Sequence, residues 1–224
     1  MGCGESRKEG SSGCLALATP SVLGVESALE SKGALRSYEH WTQTMRITGG
    51  FHRGRKLRTP KAAGLRPTTE RVRGAIFSIL GQEACKGARV LDLYAGTGIM
   101  GIEALSRDAS WADFVEVDGK LVRQIHDNLD DMSLAGKSRV YRAKVESVLG
   151  RLVGGYDLVF SDPPYRLDVW DELMGAVGER GFVNEGGVVV LEYRFGTEVS
   201  ETYGVLKQDM NRRYGDTAIA VYRT

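Results

Sequence analysis

An acidic residue beside a glycine loop is the part of the sequence best suited to chemistry. The stretch Asp92-Leu-Tyr-Ala-Gly-Thr-Gly98 lies between an apolar run, 89–93, and a helical apolar pattern, 99–105. Strand, glycine turn and helix form a nucleotide-binding unit in which backbone N–H groups at the helix N-terminus face the ligand. Gly96 to Gly101 also fit the dinucleotide pattern G-x-G-x-x-G, which is weak evidence alone. Asp92 favours a cationic or hydroxylated ligand, because a carboxylate repels a pyrophosphate.

A second acidic motif, Ser161-Asp-Pro-Pro-Tyr165, follows another apolar strand at 158–160. Asp-x-x-x-Gly-x-Gly followed by Asp-Pro-Pro-Tyr resembles the motifs of amino-methyltransferases that use S-adenosylmethionine (SAM). Two alternatives remain at this point. The second motif could be an ordinary turn after a buried strand, and Asp92 could be a carboxylate that caps a helix.

A third acidic site follows the glycine loop. Residues 112–117 alternate as a strand that ends at Glu116 and Asp118. In a doubly wound sheet, an acid at the end of the second strand reaches the ribose hydroxyls of an adenosine group. Glu116 therefore predicts an adenosine ligand, and it fits a dinucleotide as well as SAM.

Basic residues are concentrated near one end of the chain. Residues 45–73 carry nine Lys or Arg residues and one acid, Glu70, whereas the whole chain has a net charge of +1. A basic segment on an otherwise acidic body predicts contact with a polyanion, and a solvated charged hairpin is the alternative. Arg71 and Arg73 fall in the first turn of a predicted helix, where the helix dipole disfavours cations. Such arginines face a negative partner, which a local pair with Glu70 would also supply.

The elements that position these motifs alternate between strands and helices, which predicts a doubly wound α/β sheet of the Rossmann-like kind. A basic β-hairpin, 45–51 with 55–59, precedes this sheet. Seven further strands are predicted at 89–93, 112–117, 139–142, 156–160, 187–193, 204–207 and 217–222. Helices are predicted at 70–80, 99–105, 120–131 and 168–179, the first capped by Thr68 or Thr69. The last two strands form an antiparallel pair, so the sheet is mixed.

Length and composition predict one domain, 45–224, with the hairpin and following loop at 45–73. We expect residues 1–44, rich in Gly, Ser and Ala, to lack a fixed structure apart from a weak helix near 22–35. Met45 resembles a second start. The three cysteines have no metal-like spacing, and no apolar run approaches the roughly 18 residues of a membrane span. We therefore expect a protein of the reducing cytoplasm without a metal site or membrane contact. Separately, we expect a monomer.

From Met45 to Thr224 the chain resembles the bacterial small-subunit (16S) ribosomal RNA guanine-N2 methyltransferases of the RsmD type. The family-specific stretch is Arg-Pro-Thr-Thr-Glu-Arg-Val-Arg at 66–73, accompanied by Met-Arg-Ile-Thr-Gly-Gly at 45–50 and Arg-Tyr-Gly-Asp-Thr at 213–217. The resemblance implies a class I methyltransferase that binds the small ribosomal subunit or its RNA. It would transfer a methyl group from SAM to the N2 amine of a guanine.

The resemblance also implies roles for individual residues. The residues implied to handle the target amine are Asp162, Pro163, Pro164 and Tyr165. Those implied to hold the cofactor are Asp92, Tyr94, Ala95, Gly96, Thr97, Gly98, Glu116, Val117 and Val145. Those implied to contact RNA are Arg46, Arg53, Arg55, Lys56, Arg58, Arg66, Thr68, Arg71 and Arg73.

One position departs from the family pattern. Where such enzymes present an Asp near the adenine amine, this chain has Lys144, which cannot accept a hydrogen bond. Either backbone groups contact the adenine, or Glu146 replaces the Asp, or the contact is missing. Other functions remain as alternatives: an adenine-N6 DNA methyltransferase, a glutamine methyltransferase, a catalytically silent RNA-binding assembly factor, and a dehydrogenase.

Overall fold

The computed structural model describes residues 45–59, 70–164 and 169–224. Its helices are α1 (Glu70–Leu80), α2 (Ile99–Ser106), α3 (Gly119–Asp131), α4 (Val145–Leu149) and α5 (Trp170–Val177), with short 3₁₀ turns at Glu83–Cys85 and Ala135–Lys137. Its strands are β1 (Met45–Arg46), β2 (Lys56–Leu57), β3 (Arg89–Leu93), β4 (Trp111–Glu116), β5 (Ser138–Arg142), β6 (Tyr156–Ser161), β7 (Val183–Arg194), β8 (Thr202–Tyr203), β9 (Leu206–Tyr214) and β10 (Thr217–Arg223).

Eight strands form the main sheet, in the order β5-β4-β3-β6-β7-β10-β9-β8. Strands β3 to β7 are mutually parallel, and β10 runs antiparallel to both β7 and β9. The predicted doubly wound mixed sheet is therefore confirmed. We call the end at which the five parallel strands finish the carboxyl edge.

The predicted number of seven strands is wrong, because β8 adds a short eighth strand beside β9. The strand predicted at 204–207 is also misplaced. Gly204 has a φ of +57°, and a Cβ there would lie 2.2 Å from the carbonyl oxygen of Gly178. Residue 204 therefore belongs to a turn, and β9 runs from 206 to 214. The polar exposed positions of β9 gave its sequence no strand-like apolar alternation.

Two buried clusters cover the two faces of the sheet. On the first face, the hairpin, α1, α2 and α3 pack against side chains such as Phe114, Phe160 and Ile219. On the second face, α4 and α5 pack against side chains such as Leu93 and Leu191. Alternate residues of each strand point to opposite faces. Both faces are covered, as a parallel sheet requires.

The hairpin is shorter than predicted, since β1 and β2 contain two residues each. It lies on the first face rather than standing free. Ile47 and Leu57 are 1% exposed. The main chain of Gly50 passes so close to α2 that an added Cβ would lie 1.8 Å from the Ser106 carbonyl oxygen.

Candidate active site

The two motifs meet where the strand order reverses. From β3 the chain builds outward through β4 and β5, and it then returns to place β6 on the other side of β3. Leu93 at the end of β3 is paired in register with Ser161 at the end of β6. The glycine loop and Asp162 therefore emerge side by side at the carboxyl edge. In doubly wound sheets this switch point is the crevice where ligands bind.

The loop between β3 and α2 has an unusual backbone. Tyr94, Gly96 and Gly98 have φ values of 55°, 56° and 73°. A left-handed conformation is strained for tyrosine and free of strain for glycine. The loop is fixed by a bond from the Ala95 N–H to the Val115 carbonyl, at 3.0 Å. A Cβ built on Gly96 would meet nothing closer than 3.9 Å, so the space above this residue is open.

The carboxylate of Asp92 caps α2. It is 3% exposed, and its Oδ2 accepts a 2.9 Å hydrogen bond from the Gly101 N–H in the first turn of the helix. Burial raises the pKa of Asp92 to about 8, against the opposing effect of this bond, and the charge of Glu116 raises the pKa further. The helix-capping alternative is thus present in the structure, and it leaves the second carboxylate oxygen, Oδ1, outside this bond.

Glu116 joins the glycine loop to the end of β4. One oxygen accepts the Gly96 N–H at 2.8 Å, and the other accepts the Asp118 N–H at 2.8 Å. Asp118 in turn caps α3 by accepting the Lys120 N–H at 2.6 Å. Val117 lies between the two acids and is 58% exposed, which is high for an apolar side chain beside an open loop. The loop, the acid and an uncovered apolar surface are therefore contiguous.

The second face of the sheet supplies the other wall of this loop. The Tyr94 hydroxyl donates a 2.8 Å hydrogen bond to Glu146 in α4. Burial, followed by this bond to a carboxylate, raises the pKa of Tyr94. Lys144 precedes α4 without capping it through its side chain. Because the side chain of Val145 is 2% exposed, only its backbone could meet a ligand.

The second motif begins directly after β6. Asp162 is partly exposed, Pro163 is buried, and Pro164 is exposed. Tyr165 lies outside the described residues. The preceding Ser161 has a buried hydroxyl without a hydrogen-bond partner among the residues that the structure describes.

A further carboxylate, which was not predicted from the sequence, lies beside Asp162. Ser161 pairs in register with Leu191, so Glu192 occupies the strand position next to Asp162. Its register partner on β10 is Ile219, which belongs to the first face. Glu192 is 8% exposed. An acid near the end of the otherwise apolar run 188–193 was the available signal.

The hairpin is bonded to the far ends of α2 and α3. The N–H groups of Phe51 and His52 donate to the carbonyl and hydroxyl of Ser106, at 2.7 and 2.9 Å. On the other side, Arg58 forms a 2.8 Å ion pair with Asp131 at the end of α3. Arg55 donates to the Asp131 carbonyl at 2.7 Å. Since α2 and α3 run back from the carboxyl edge, the hairpin turn lies about 12 Å, the length of α2, away from the glycine loop.

Arg73 does not fit its predicted role in RNA contact. It is fully buried, and its Nε forms a 2.6 Å ion pair with Glu103 of α2. Its Nη2 also donates to the Arg46 carbonyl. Glu103 is itself fully buried and accepts from Thr48 and from Arg107, the latter at 2.8 Å. Arg73 therefore joins α1, α2 and the hairpin, and no phosphate can reach it.

No helix within residues 45–59, 70–164 and 169–224 is long and apolar enough to cross a membrane. That part of the chain also holds no group of three His, Cys, Asp or Glu residues placed to hold a metal ion.

The sequence model of one protein family, described as Conserved hypothetical protein 95, matches residues 45–223. The chain belongs to this family, the RsmD family. Ribosomal RNA small subunit methyltransferase D of Escherichia coli (strain K12) is 37% identical over 148 residues, which are 66% of this chain and 74% of that protein. YlbH of Bacillus subtilis (strain 168) is 35% identical over 182 residues, which are 80% of this chain and 98% of that protein.

Solved structures agree on the fold. That of YhhF from Escherichia coli matches with a TM-score of 0.72 at 30% identity, over 80% of this chain and 97% of that chain. The T. thermophilus 16S rRNA N2 G1207 methyltransferase RsmC, in complex with AdoMet and guanosine, matches with a TM-score of 0.65 at 20% identity. That match covers 83% of this chain and 51% of RsmC. The sheet is the Rossmann-like sheet of class I methyltransferases, and the cofactor of this RsmD-family enzyme is SAM.

Apart from the buried Arg73, the predicted residues of this RsmD-family chain fall into three groups by position. The first group meets at the carboxyl edge and comprises Asp92, Tyr94, Ala95, Gly96, Thr97, Gly98, Glu116, Val117, Val145, Asp162, Pro163 and Pro164. The second lies on the hairpin and α1, with exposed side chains at Arg46, Arg53, Arg55, Lys56 and Arg71, and a partly exposed one at Arg58. The third, Arg66, Thr68 and Tyr165, lies outside the described residues.

Proposed function

We propose that this RsmD-family protein transfers the methyl group of SAM to the exocyclic N2 amine of a guanine in small-subunit ribosomal RNA. The observation that carries the proposal is the register of β3 and β6, which sets Asp162-Pro163-Pro164 beside the glycine loop. Membership of the RsmD family supports ribosomal RNA as the substrate. We further propose that the protein acts as a cytoplasmic monomer through a single domain, 45–224.

The residues at the carboxyl edge fit SAM. The open space above Gly96 admits a ligand close to the loop backbone. In the proposal, Asp92 and the backbone of 96–98 hold the methionine part, with Thr97 and Ala95 shaping the loop. Both Glu116 oxygens accept backbone N–H groups, but a carboxylate has about four lone-pair sites and can also accept the ribose hydroxyls. The uncovered surface of Val117 suits the adenine ring.

The hydrogen bond from Tyr94 to Glu146 bears on which group contacts the adenine amine, since Lys144 stands where the family has an Asp. Because Glu146 already accepts the Tyr94 hydroxyl, its role in the proposal is to hold the wall of the loop. The adenine amine would then meet backbone groups near Val145.

Bound SAM supplies a methyl group made electrophilic by its sulfonium. The task of the protein is to present the amine, whose lone pair is delocalised into the guanine ring. The Asp162 carboxylate and the Pro163 carbonyl would accept the two N–H groups and thereby turn the lone pair toward the methyl group. The methylated amine loses its proton readily, so Asp162 need not be a strong base. Two consecutive prolines fix φ and keep these acceptors in place.

Positioning can supply much of the rate enhancement, since holding reactants in the right orientation lowers the barrier by roughly 7–11 kcal/mol. Tyr165 is proposed to stack on the target base once that base has left its neighbours. Exposed cations at Arg46, Arg53, Lys56 and Arg71 are proposed to contact phosphates.

The test is transfer of labelled methyl from SAM to small ribosomal subunits that lack the modification. Naked ribosomal RNA and duplex DNA serve as competing substrates. We expect the label in RNA as N2-methylguanine, and its loss in an Asp162→Ala variant that still binds SAM. Label in DNA would favour an adenine-N6 methyltransferase, and label in protein a glutamine methyltransferase. RNA binding without any transfer would favour a silent assembly factor.

A further inference from the structure

A second basic group lies at the carboxyl edge, near the ends of β7 and β9. It consists of Arg194, Phe195, Arg212 and Arg213, and we call it the edge patch. Phe195 is 48% exposed although it is a large apolar side chain. The three arginines are exposed as well. Within the described part of the chain, none of these arginines forms an ion pair. The turn between β9 and β10 carries one acid, Asp216.

The edge patch is held in a defined geometry. The guanidinium carbon of Arg213 lies 3.9 Å from the centroid of the Phe195 ring. Its Nε donates a 2.8 Å hydrogen bond to the Gly215 carbonyl. The Phe195 N–H donates to the Asp216 carbonyl at 2.9 Å, which ties the end of β7 to the turn between β9 and β10. The guanidinium of Arg213 is thus positioned before any ligand binds, and little side-chain freedom is left to lose.

The edge patch lies close to the proposed site of methyl transfer. Strand β7 is parallel to β6, and it extends past the pair Ser161–Leu191 as far as Arg194. With strands about 4.8 Å apart and a rise of about 3.3 Å per residue, the backbone of Arg194 lies roughly 8 Å from that of Asp162. Arg213 is level with Tyr193 and three strands from β6, or roughly 15 Å away.

The hairpin turn occupies a different place. Phe51 and Arg53 lie where the hairpin meets Ser106, at the end of α2 that points away from the carboxyl edge. The cations of the hairpin turn and those of the edge patch therefore cannot bind the same phosphates.

We propose that the edge patch binds the RNA strand next to the target guanine. Arg194 and Arg212, which the register sets on the first face of the sheet, contact phosphates. An unstacked flanking base lies on the outer plane of the Arg213 guanidinium, on the second face, with Phe195 beneath it. Arginine is suited to both tasks, because its planar group stacks on bases and its charge binds phosphate. This inference rests on the proposed function, since it takes the partner at this edge to be RNA.

The test compares single variants of the full-length protein in binding of ribosomal RNA and in methyl transfer. The matched control is Lys207→Ala, because Lys207 is exposed and lies on β9 at the opposite end of the strand. We expect Arg213→Ala to weaken RNA binding at least about 5-fold, as loss of one stacked base does. Lys207→Ala should bind RNA like the wild type. SAM affinity and the unfolding temperature should not change in either variant, which shows that the site is folded.

Two further variants separate stacking from charge. Arg213→Lys keeps the charge but loses the plane, so we expect weaker RNA binding with an unchanged salt dependence. Arg194→Ala and Arg212→Ala should each lower the slope of log K against log salt by about 0.7, the value for one phosphate contact on a single strand. RNA binding equal to that of the wild type in all of the Arg194, Arg212 and Arg213 variants would overturn the proposal that the edge patch binds RNA.

The outcomes also separate the patch from the proposed function. If the wild type methylates RNA and the edge-patch variants bind and react normally, the proposed RNA contact at the edge patch is wrong and the proposed function is supported. If the wild type binds RNA without methylating it and these variants bind more weakly, the RNA contact at the edge patch is supported and the proposed reaction is wrong.

Discussion

The carboxyl edge and the N-terminal hairpin both concentrate ionisable side chains, but they hold them by different means. At the carboxyl edge, Asp92 and Glu116 accept bonds from main-chain N–H groups 9 and 20 residues away. Around the hairpin, Arg73 and Arg58 are held by acidic side chains 30 and 73 residues away. An ionisable side chain fixed by main-chain groups of a glycine loop can be recognised from the loop motif. A charge fixed by a distant side chain cannot, and two arginines in one motif can then have unrelated roles.

The largest effect on stability is expected from replacing Arg73, whereas replacing Arg71, two residues earlier in α1, should have little effect. Arg73→Met leaves the fully buried Glu103 without one of its partners, and breaking a buried pair costs about 3–5 kcal/mol. We expect the free energy of unfolding to fall toward the lower end of that range, because Arg107 still pairs with Glu103. Arg71→Ala should change it by less than about 0.5 kcal/mol, since Arg71 is exposed.

Urea unfolding and RNA binding measured on both variants check this difference. Arg71→Ala should weaken RNA binding while the protein stays folded. Equal stability of Arg73→Met and the wild type would show that Arg73 does not hold α1 to α2.

The next largest change in stability is expected from alanine substitutions at two glycines. A Cβ on Gly101, in α2, would lie 2.3 Å from the buried ring of Phe114, whereas a Cβ on Gly74, in α1, would meet nothing within 4 Å. Overpacking costs about 1–3 kcal/mol, so Gly101→Ala should destabilise the protein by that amount. Gly74→Ala should stabilise it by about 0.5–1 kcal/mol, because alanine favours a helix interior.

Thermal and urea unfolding of the two alanine variants test this prediction, and each variant controls for the other. If Gly101→Ala were as stable as the wild type, α2 would not pack against β4 as closely as the structure has it.

Local rules predicted much of the carboxyl edge. The strand at 89–93, the glycine turn and the following helix could be recognised from apolar periodicity and from glycines that have positive φ in the structure. The register of β3 and β6 places the glycine loop and Asp162 at the same edge, which agrees with the winding rule for parallel sheets. The same rules failed where no local signal existed. Strand β8 has two residues, and β9 presents mostly exposed polar side chains, so neither carries a clear periodicity.

Tertiary contacts decided the remainder. The sequence of α1 gave Arg73 no feature that distinguishes it from Arg71, and only the position of Glu103 on α2 made Arg73 a buried residue. Glu192 lay in an apolar run without a motif, and only the register of β6 and β7 placed it beside Asp162. Residues 1–44, 60–69 and 165–168 lie outside the described residues, so the predictions made for them stay predictions.

A pH effect is expected at the carboxyl edge. Because burial raises the pKa of Asp92 to about 8, the folded protein without cofactor keeps a proton that the unfolded chain releases near pH 4. Between about pH 4 and pH 8 the folded state binds more protons, so the free energy of unfolding should fall as the pH rises. Asp92→Asn should remove this contribution. The measurement is urea unfolding of both proteins at several pH values, and an unchanged difference between them would place an ionised Asp92 in the folded state.

The hairpin should show a smaller pH effect of opposite sign. Burial, and then the charge of Arg55, lower the pKa of His52, whose Nδ1 lies 3.3 Å from an Arg55 nitrogen. Just below pH 6.5 the unfolded chain therefore binds more protons than the folded protein, and the free energy of unfolding should fall as the pH falls. His52→Gln should remove this slope, as measured by urea unfolding of both proteins from pH 5 to pH 7. Equal slopes would mean that His52 is solvated like an unfolded histidine. A slope of opposite sign to that of Asp92 would show that each region buries its own ionisable group in the neutral form, an acid at the carboxyl edge and a base in the hairpin.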